Sequence, residues 1–283
     1  MNIIGLGKAG CNIARAFSKF PQYNCVGIDV DPTSDIVIKK KSSHEEYDAK
    51  FPNLTRRFPI EEGEGILLIV CGAGTISGGV LRLLEQLKSR KEDISVLYIK
   101  PDGDLLSELH RTQEKVVRNI LQEYARSGQL DMIYLVENSE IAKGIGEVPI
   151  IGYFDVLNQG LVNLLHMINV FRNSEPVMGN FGAPTEIARI CTIGVVDLEN
   201  NKENWFLDLQ NARDVVYYYG INEEELRTDG TLFKKITDFV KSKSDDSVNV
   251  SYGVYKTTYD QQYCYCIKYS SVVQLQLDGQ DIG

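Results

Sequence analysis

CGAGTISGGVLRLLEQLK, residues 71–88, is the stretch from which the rest of the chain is read. It follows an apolar run, Ile66-Leu67-Leu68-Ile69-Val70, with the length and composition of a buried strand, and it opens into a helical pattern. Gly72, Gly74, Gly78 and Gly79 fall within eight residues, beside Ala73, Thr75, Ile76 and Ser77. Glycines so dense cost backbone entropy, which suits a place where main-chain N–H groups must approach a ligand closely. At a strand-to-helix turn such amides and the helix N-terminus make a cradle for phosphate, to which the Thr75 and Ser77 hydroxyls add donors.

A second turn of this kind lies upstream. GLGKAGCNIARAF, residues 5–17, follows the first strand pattern and contains Gly5, Gly7 and Gly10 as GxGxxG opening a helix. By itself that spacing points most often to NAD or FAD, and Asp29 and Asp31, about 20 residues on, suit a ribose hydroxyl. An NAD-dependent oxidoreductase is therefore one reading. Against it, a dinucleotide fold needs only one glycine turn, and no catalytic His–Lys or Tyr–Lys pair is evident. Two such turns on one sheet edge instead bracket a chain of phosphates, one at each end.

Working outward, short apolar runs at 2–6, 25–30, 65–71, 95–99 and 132–137 alternate with helical patterns at 11–20, 78–90 and 105–127. This is the pattern of an α/β, Rossmann-like parallel sheet wound with helices. Residues 154–171 are apolar nearly all round, which predicts a long helix buried between layers. A loop with Pro176, Gly179, Gly182 and Pro184 follows. Beyond it the pattern is that of a smaller α+β domain, with strands at 190–197, 248–257 and 262–277 and helices at 211–219 and 231–242. The expected organisation is a nucleotide-binding domain over 1–153, a central helix over 154–171 and the smaller domain over 172–283.

Composition narrows the function classes. The 283 residues carry a formal net charge of −9. That argues against direct nucleic-acid binding, which needs a basic footprint. It leaves room for a polyanion held by backbone amides. Six cysteines without a CxxC pair, and three scattered histidines, point to reduced thiols and no metal centre. No apolar run reaches the roughly 18 residues of a spanning helix, so no membrane insertion is expected. Met1 enters a strand pattern at once, and a cytoplasmic location is the simplest expectation.

With these segments in order, the chain resembles the tubulin/FtsZ superfamily. GAGTISGG is similar to the family's GGGTGSG loop, with Ala73 and Ile76 in place of two glycines. GLGKAGCN is similar to its first phosphate loop, down to Asn12. The resemblance implies GTP or GDP, accompanied by Mg2+, as cofactor. It implies nucleotide contacts from Gly7, Lys8, Ala9, Gly10, Cys11, Asn12 and Asp31, and from Gly72, Ala73, Gly74, Thr75, Ile76, Ser77 and Gly78. IKPDGDLLSELHRTQEKV, residues 99–116, resembles the segment whose Glu and Arg serve ribose and phosphates; here these are Glu108 and Arg111. VENSE, residues 136–140, places Asn138 at the base. In GYFDVLNQGLVNLLHMI, residues 152–168, Phe154 takes the place of the ring stacked on guanine and Asn158 that of the amide reading its edge. An aromatic face and an amide spaced by four share one helix face, and Asn both donates and accepts.

Two departures accompany the likeness. Residues 42–65, SSHEEYDAKFPNLTRRFPIEEGEG, lack the glycine-rich loop that senses the γ-phosphate in the family. In VMGNFGAPTEIARI, residues 177–190, the family's two acids align with Asn180 and Ala183, or with one inserted residue the second acid is Glu186. The family implies a filament of copies stacked head to tail, a GTPase site completed by a neighbour, and an adaptor protein as a possible partner. Because Asn is a poor general base, hydrolysis is expected to be weak if Asn180 holds the acid's place. A non-polymerising nucleotide-binding relative with a degenerate catalytic loop is the alternative.

Overall fold

A computed structural model describes residues 1–146, 148–245 and 247–275 of the 283. The chain begins with β1 (Asn2–Leu6), α1 (Gly7–Phe17), β2 (Asn24–Asp29), β3 (Ile36–Val37), α2 (His44–Ala49) and β4 (Ile66–Cys71). A short 3-10 turn, Thr75–Gly79, leads into α3 (Val80–Lys88), followed by β5 (Ile94–Lys100), α4 (Glu108–Arg126), β6 (Met132–Glu137), α5 (Asn138–Ile145) and α6 (Tyr153–Arg172). The remainder is β7 (Met178–Gly179), β8 (Ile190–Asp197), β9 (Lys202–Trp205), β10 (Ala212–Asn222), α7 (Glu223–Thr228), α8 (Leu232–Lys243), β11 (Asn249–Thr257) and β12 (Tyr263–Ser270).

Among the described residues all twelve strands join one sheet, in the order β3-β2-β1-β4-β5-β6-β8-β12-β10-β11-β7, with β9 paired to β8. From β3 to β8 the pairing is parallel. Strands covered by helices on both faces carry apolar residues without alternation. The first strand is buried at all five positions, and β4 at five of six. On one face Ile3, Leu67, Ile69, Leu97 and Ile99 pack with α1 and α6. On the other, Ile4, Leu6, Leu68 and Val70 pack with α3 and α4.

Helix α6 is more one-sided than expected: it buries Leu157, Leu161, Val162, Leu164, Leu165, Ile168 and Phe171 against the sheet, while Asp155, Gln159, Asn163 and His166 lie on its outer face. Leu161, Leu165, Ile168 and Phe171 share one core with Ile3 and Leu97 of the parallel half and with Val216, Tyr218, Ile267 and Tyr269 of the later strands. At its C-terminal end Arg172 donates to the hydroxyls of Tyr134 (2.9 Å), Tyr218 (3.2 Å) and Tyr269, which belong to β6, β10 and β12. The sheet is continuous across the join, since Ile133 and Tyr134 of β6 pair with Ile190 and Cys191 of β8.

The fold is the α/β architecture expected from the strand–helix alternation. One element differs: of residues 211–219, read as helical, all from Ala212 onward belong to the strand β10, hydrogen-bonded to β11 and β12. Val216 and Tyr218 face α6 while Val215, Tyr217 and Tyr219 face α8, so both faces are covered and the sequence shows no period-2 signal. Its β-branched and aromatic content was the better guide. Residues 271–275, expected to continue the last strand, leave the sheet; residues 276 and 277 of that expected strand lie outside the described residues. All six cysteines are free, and no helix among the described residues is long and apolar enough to cross a membrane.

Burial pushes the imidazoles of His44 and His166 below their ordinary value of 6.5. The unfolded chain therefore takes up these protons first, so their contribution is complete above pH 6.5 and declines as pH falls through 6.5 toward the folded values. Asp31, Glu46 and Glu223 have depressed values and act in the same sense, but only below about their ordinary 3.8 to 4.5. Melting temperature is accordingly expected to drop between pH 7 and about pH 5, and this drop to shrink when His44→Gln and His166→Gln are combined. An unchanged melting temperature across that range would contradict the assignment.

Candidate functional site

Strand register places the two glycine turns side by side. Leu6 of β1 lies opposite Val70 of β4, so the next residues of both strands leave the sheet at the same carboxyl edge. Open parallel sheets bind ligands at this edge. The turns touch: a Cβ at Gly7 would lie 2.7 Å from Cγ2 of Ile76. Gly7 also has φ +75°, a left-handed conformation that glycine adopts without strain.

The three glycines of GxGxxG have different tasks. A Cβ at Gly5 would sit 2.2 Å from the Gly10 carbonyl oxygen, and one at Gly10 would sit 2.6 Å from the Ile69 carbonyl oxygen. Both therefore let α1 lie directly on β1 and β4, while Gly7 makes the turn. Lys8 is exposed and Ala9 half-buried at the mouth, and Asn12 accepts a hydrogen bond from Arg15 at 3.3 Å. The Cys11 thiol points inward, 3.6 Å from the Gly5 carbonyl oxygen. Burial, then the Asp29 charge, pushes its pKa up to about 11. Only the backbone of Cys11 is suited to meet a ligand.

In the second turn Gly74 is exposed and Ala73, Thr75 and Ile76 are half-buried, forming the open lip. Gly78 and Gly79 are covered by the segment around α2: added Cβ atoms would meet the His44 carbonyl oxygen and the Phe51 ring at 2.2 Å. Ser77 is fully buried, its hydroxyl 3.5 Å from His44 Nε2 and 3.5 Å from the Gly72 carbonyl oxygen. This corrects the expectation that the Ser77 hydroxyl faces a ligand, because the 3-10 turn tucks it beneath α2; Thr75 remains at the lip. Residues 42–65 thus supply a helical cover in place of a glycine loop.

The other candidates ring the same edge. Asp31, after β2, accepts from the Thr33 N–H and hydroxyl at 2.8 and 2.7 Å. These bonds, with smaller contributions from Lys8 and Arg15 of α1, hold its carboxyl below the usual range. Glu108 and Arg111 are exposed on the first turn of α4, capped by Ser107, and Arg111 donates to the Leu106 carbonyl oxygen at 3.2 Å. After β6, Asn138 opens α5 and is half-buried. Asp102 fixes that turn by accepting from the Ser139 N–H at 3.1 Å, and Lys100 pairs with Glu137 at 3.1 Å. Phe154 is 59 % exposed, its ring edge-on to Tyr153 at 5.3 Å, and Asn158 is half-buried one turn later.

Asn180 and Glu186 are placed elsewhere. Twenty residues make α6 about 30 Å long. Its last residue, Arg172, bonds Tyr134 near the start of β6, so the helix runs from the glycine edge to the opposite one. Glu186 lies there, exposed, just before β8, with its backbone carbonyl accepting from Arg189 at 3.1 Å. Asn180 follows β7 on the last edge of the sheet. Its carboxamide oxygen accepts the Tyr252 N–H at 3.1 Å and its own N–H donates to the Tyr252 carbonyl oxygen at 3.1 Å. Asn180 therefore extends a ladder, and its side-chain oxygen is already engaged. Sequence reasoning missed His44 over the second turn and the Tyr98–Glu114 pair beneath it. Glu114 and Arg118 carry only an i,i+4 spacing, which is the same for a buried pair as for a solvated one.

No family model matches the chain, and no curated protein matches it. Solved structures do. TubZ of Bacillus thuringiensis serovar israelensis, a GTPγS-form protofilament, superposes with TM-score 0.72 at 16% identity, covering 97% of this chain and 87% of that one. An empty FtsZ dimer of M. jannaschii gives 0.71 at 13%, covering 100% and 90%. CetZ2 of Haloferax volcanii, a GTPγS-bound protofilament, gives 0.70 at 16%, covering 96% and 92%. All are tubulin/FtsZ superfamily proteins, and a likeness over nearly the whole chain shows that this protein has their fold.

The tight glycines separate packing from opening by experiment. Gly10→Ala is expected to cost about 1–3 kcal/mol in denaturant unfolding, since its Cβ meets a strand carbonyl that cannot yield. Gly74→Ala, with no neighbour nearer than 3.6 Å, is expected to fold with near-unchanged stability.

Proposed function

Proceeding from the tubulin/FtsZ fold, we propose that this protein binds a guanine nucleotide at the paired glycine turns and that copies stack head to tail into filaments. One observation carries the reading: two glycine turns in contact at one end of the sheet, and an exposed carboxylate loop at the other end of a helix about 30 Å long. Within one chain these ends do not meet. Stacked copies bring them together through a heterologous contact that does not close on itself.

Backbone amides from Gly7 to Asn12 and from Gly72 to Gly78 are assigned to the phosphates, with the Thr75 hydroxyl. Asp31, Glu108 and Arg111 are assigned to the ribose and phosphate edge. Phe154 offers a stacking face, while Asn158 and Asn138 offer amides to a guanine edge. Among the described residues no three His, Cys, Asp or Glu side chains gather to hold an ion, so Mg2+ would arrive coordinated by phosphate oxygens. Exposed apolar side chains at both ends favour stacking: Ile150 and Ile151, 93% and 92% exposed, by the start of α6, and Ile187 at the far end. The related TubZ and CetZ2 structures are protofilaments with GTPγS.

For hydrolysis we assign Glu186 over Asn180, whose side-chain oxygen is held by Tyr252. The Glu186 carboxylate forms no ion pair or hydrogen bond among the described residues, which leaves it to orient and deprotonate a water at a neighbouring copy's site.

Thermal unfolding with GTP, GDP, ATP and NADH tests the ligand: GTP at about 100 times its Kd should stabilise by ~2.7 kcal/mol, and NADH should not. Stabilisation by NADH alone would return the dinucleotide reading. Phe154→Ala should weaken GTP by about 1–3 kcal/mol, the range for loss of base stacking. In pelleting and phosphate-release assays, Glu186→Gln should assemble while slowing release roughly 10²–10⁴-fold. Release unaffected by that substitution would remove Glu186 from the chemistry.

A further inference from the structure

A line of buried polar side chains runs from residues 271–275 to the second glycine turn. Gln274 is 4% exposed, seated between α4 and the backbone of Gln210. Its N–H donates to Gln122 Oε1 at 2.7 Å, and its carbonyl oxygen accepts from Arg118 Nη1 at 3.0 Å and Gln122 Nε2 at 3.4 Å. Its side chain accepts from the Gln210 N–H at 2.8 Å and donates to the Gln210 and Val272 carbonyl oxygens at 3.2 and 2.7 Å. Val273 packs against the core under α3 and α4.

From Arg118 the line continues inward. Arg118 Nε donates to Glu114 Oε1 at 2.9 Å, and Tyr98 donates to the same oxygen at 3.0 Å. Arg118, Gln122 and Tyr98 are fully buried and Glu114 nearly so. Gly72 rests on this pair: an added Cβ would lie 2.0 Å from the Tyr98 hydroxyl and 2.8 Å from Glu114 Cγ. A buried charge pair holds one geometry only while its hydrogen bonds are complete. Arg118 draws one of them from Gln274.

We propose that residues 271–275 are a positioning element for the second glycine turn, acting through Arg118, Glu114 and Tyr98 on Gly72, and thereby set nucleotide affinity. The proposal rests on the guanine-nucleotide reading above. Residues 271–275, Arg118, Glu114 and Tyr98 are not among the nucleotide contacts proposed above; they hold the floor on which the phosphate-facing amides are arranged.

The test uses the full chain with Gln274→Ala, with Leu275→Ala, whose side chain is exposed, as control. Gln274→Ala keeps the carbonyl that Arg118 uses but removes the side-chain bonds to Gln210 and Val272 that hold it in place. Two quantities are measured: GTP affinity by calorimetry, and hydrogen exchange of the amides at 72–79 without nucleotide. Gln274→Ala should weaken GTP roughly 2- to 30-fold and speed exchange at 72–79, while exchange in α1 and α6 stays as in the parent chain. Leu275→Ala should change neither. If the alanine variant does not fold, Gln274→Glu, which keeps the acceptor for Gln210, replaces it under the same criteria. A folded variant with parent affinity and parent exchange at 72–79 overturns the proposal. A parent chain that binds no guanine nucleotide sinks the function reading instead, and the exchange result then decides the coupling by itself.

Discussion

The candidate site depends on the parallel pairing of β1 with β4, Leu6 opposite Val70. Two strands in that register must release their chains at the same height, and the following turns must then share one space. Glycine satisfies the consequence at Gly7, where a side chain would strike Ile76, and at Gly10, where α1 lies against the carbonyl of Ile69. The same two glycines let α1 pack closely on the sheet and bring the two turns into contact.

Helix α6 supplies the second constraint. It belongs to one core shared by both halves of the sheet, and Arg172 fastens its end to tyrosines from three strands. A rigid rod of this kind sets a constant separation between Phe154 at one end and the loop of Glu186 beyond the other. On the filament proposed above, chemistry that needs both ends is a question of how copies meet rather than of how one chain moves.

Buried polar groups sit where ordinary core packing would have been simpler. Ser77 under α2, Glu114 under Gly72, and Arg118 under Gln274 each occupy a place reached by a different part of the chain. Leaving such a group unpaired is costly, so these contacts tie the glycine turn to α2 and to residues 271–275 more specifically than apolar contacts do.

The amino-acid sequence alone determined the strand–helix alternation, both glycine turns at strand ends, and the unusually apolar central helix. These are local signals: a run of Ile66 to Val70, a glycine spacing, a helix rich in Leu, Val and Ile. What tertiary structure decided is everything that depends on which residue lies opposite which. Val215 to Tyr219 became a strand because α6 and α8 cover both faces, which erases the alternation a one-sided strand would show. Ser77 turned inward because α2 folds over it, and Asn180 was claimed by Tyr252 across a strand edge. Glu114 and Arg118 look in sequence like any surface pair four residues apart. Their burial follows from Tyr98 and Gln274, 16 and 156 residues away respectively, and no local pattern records contacts at such separations.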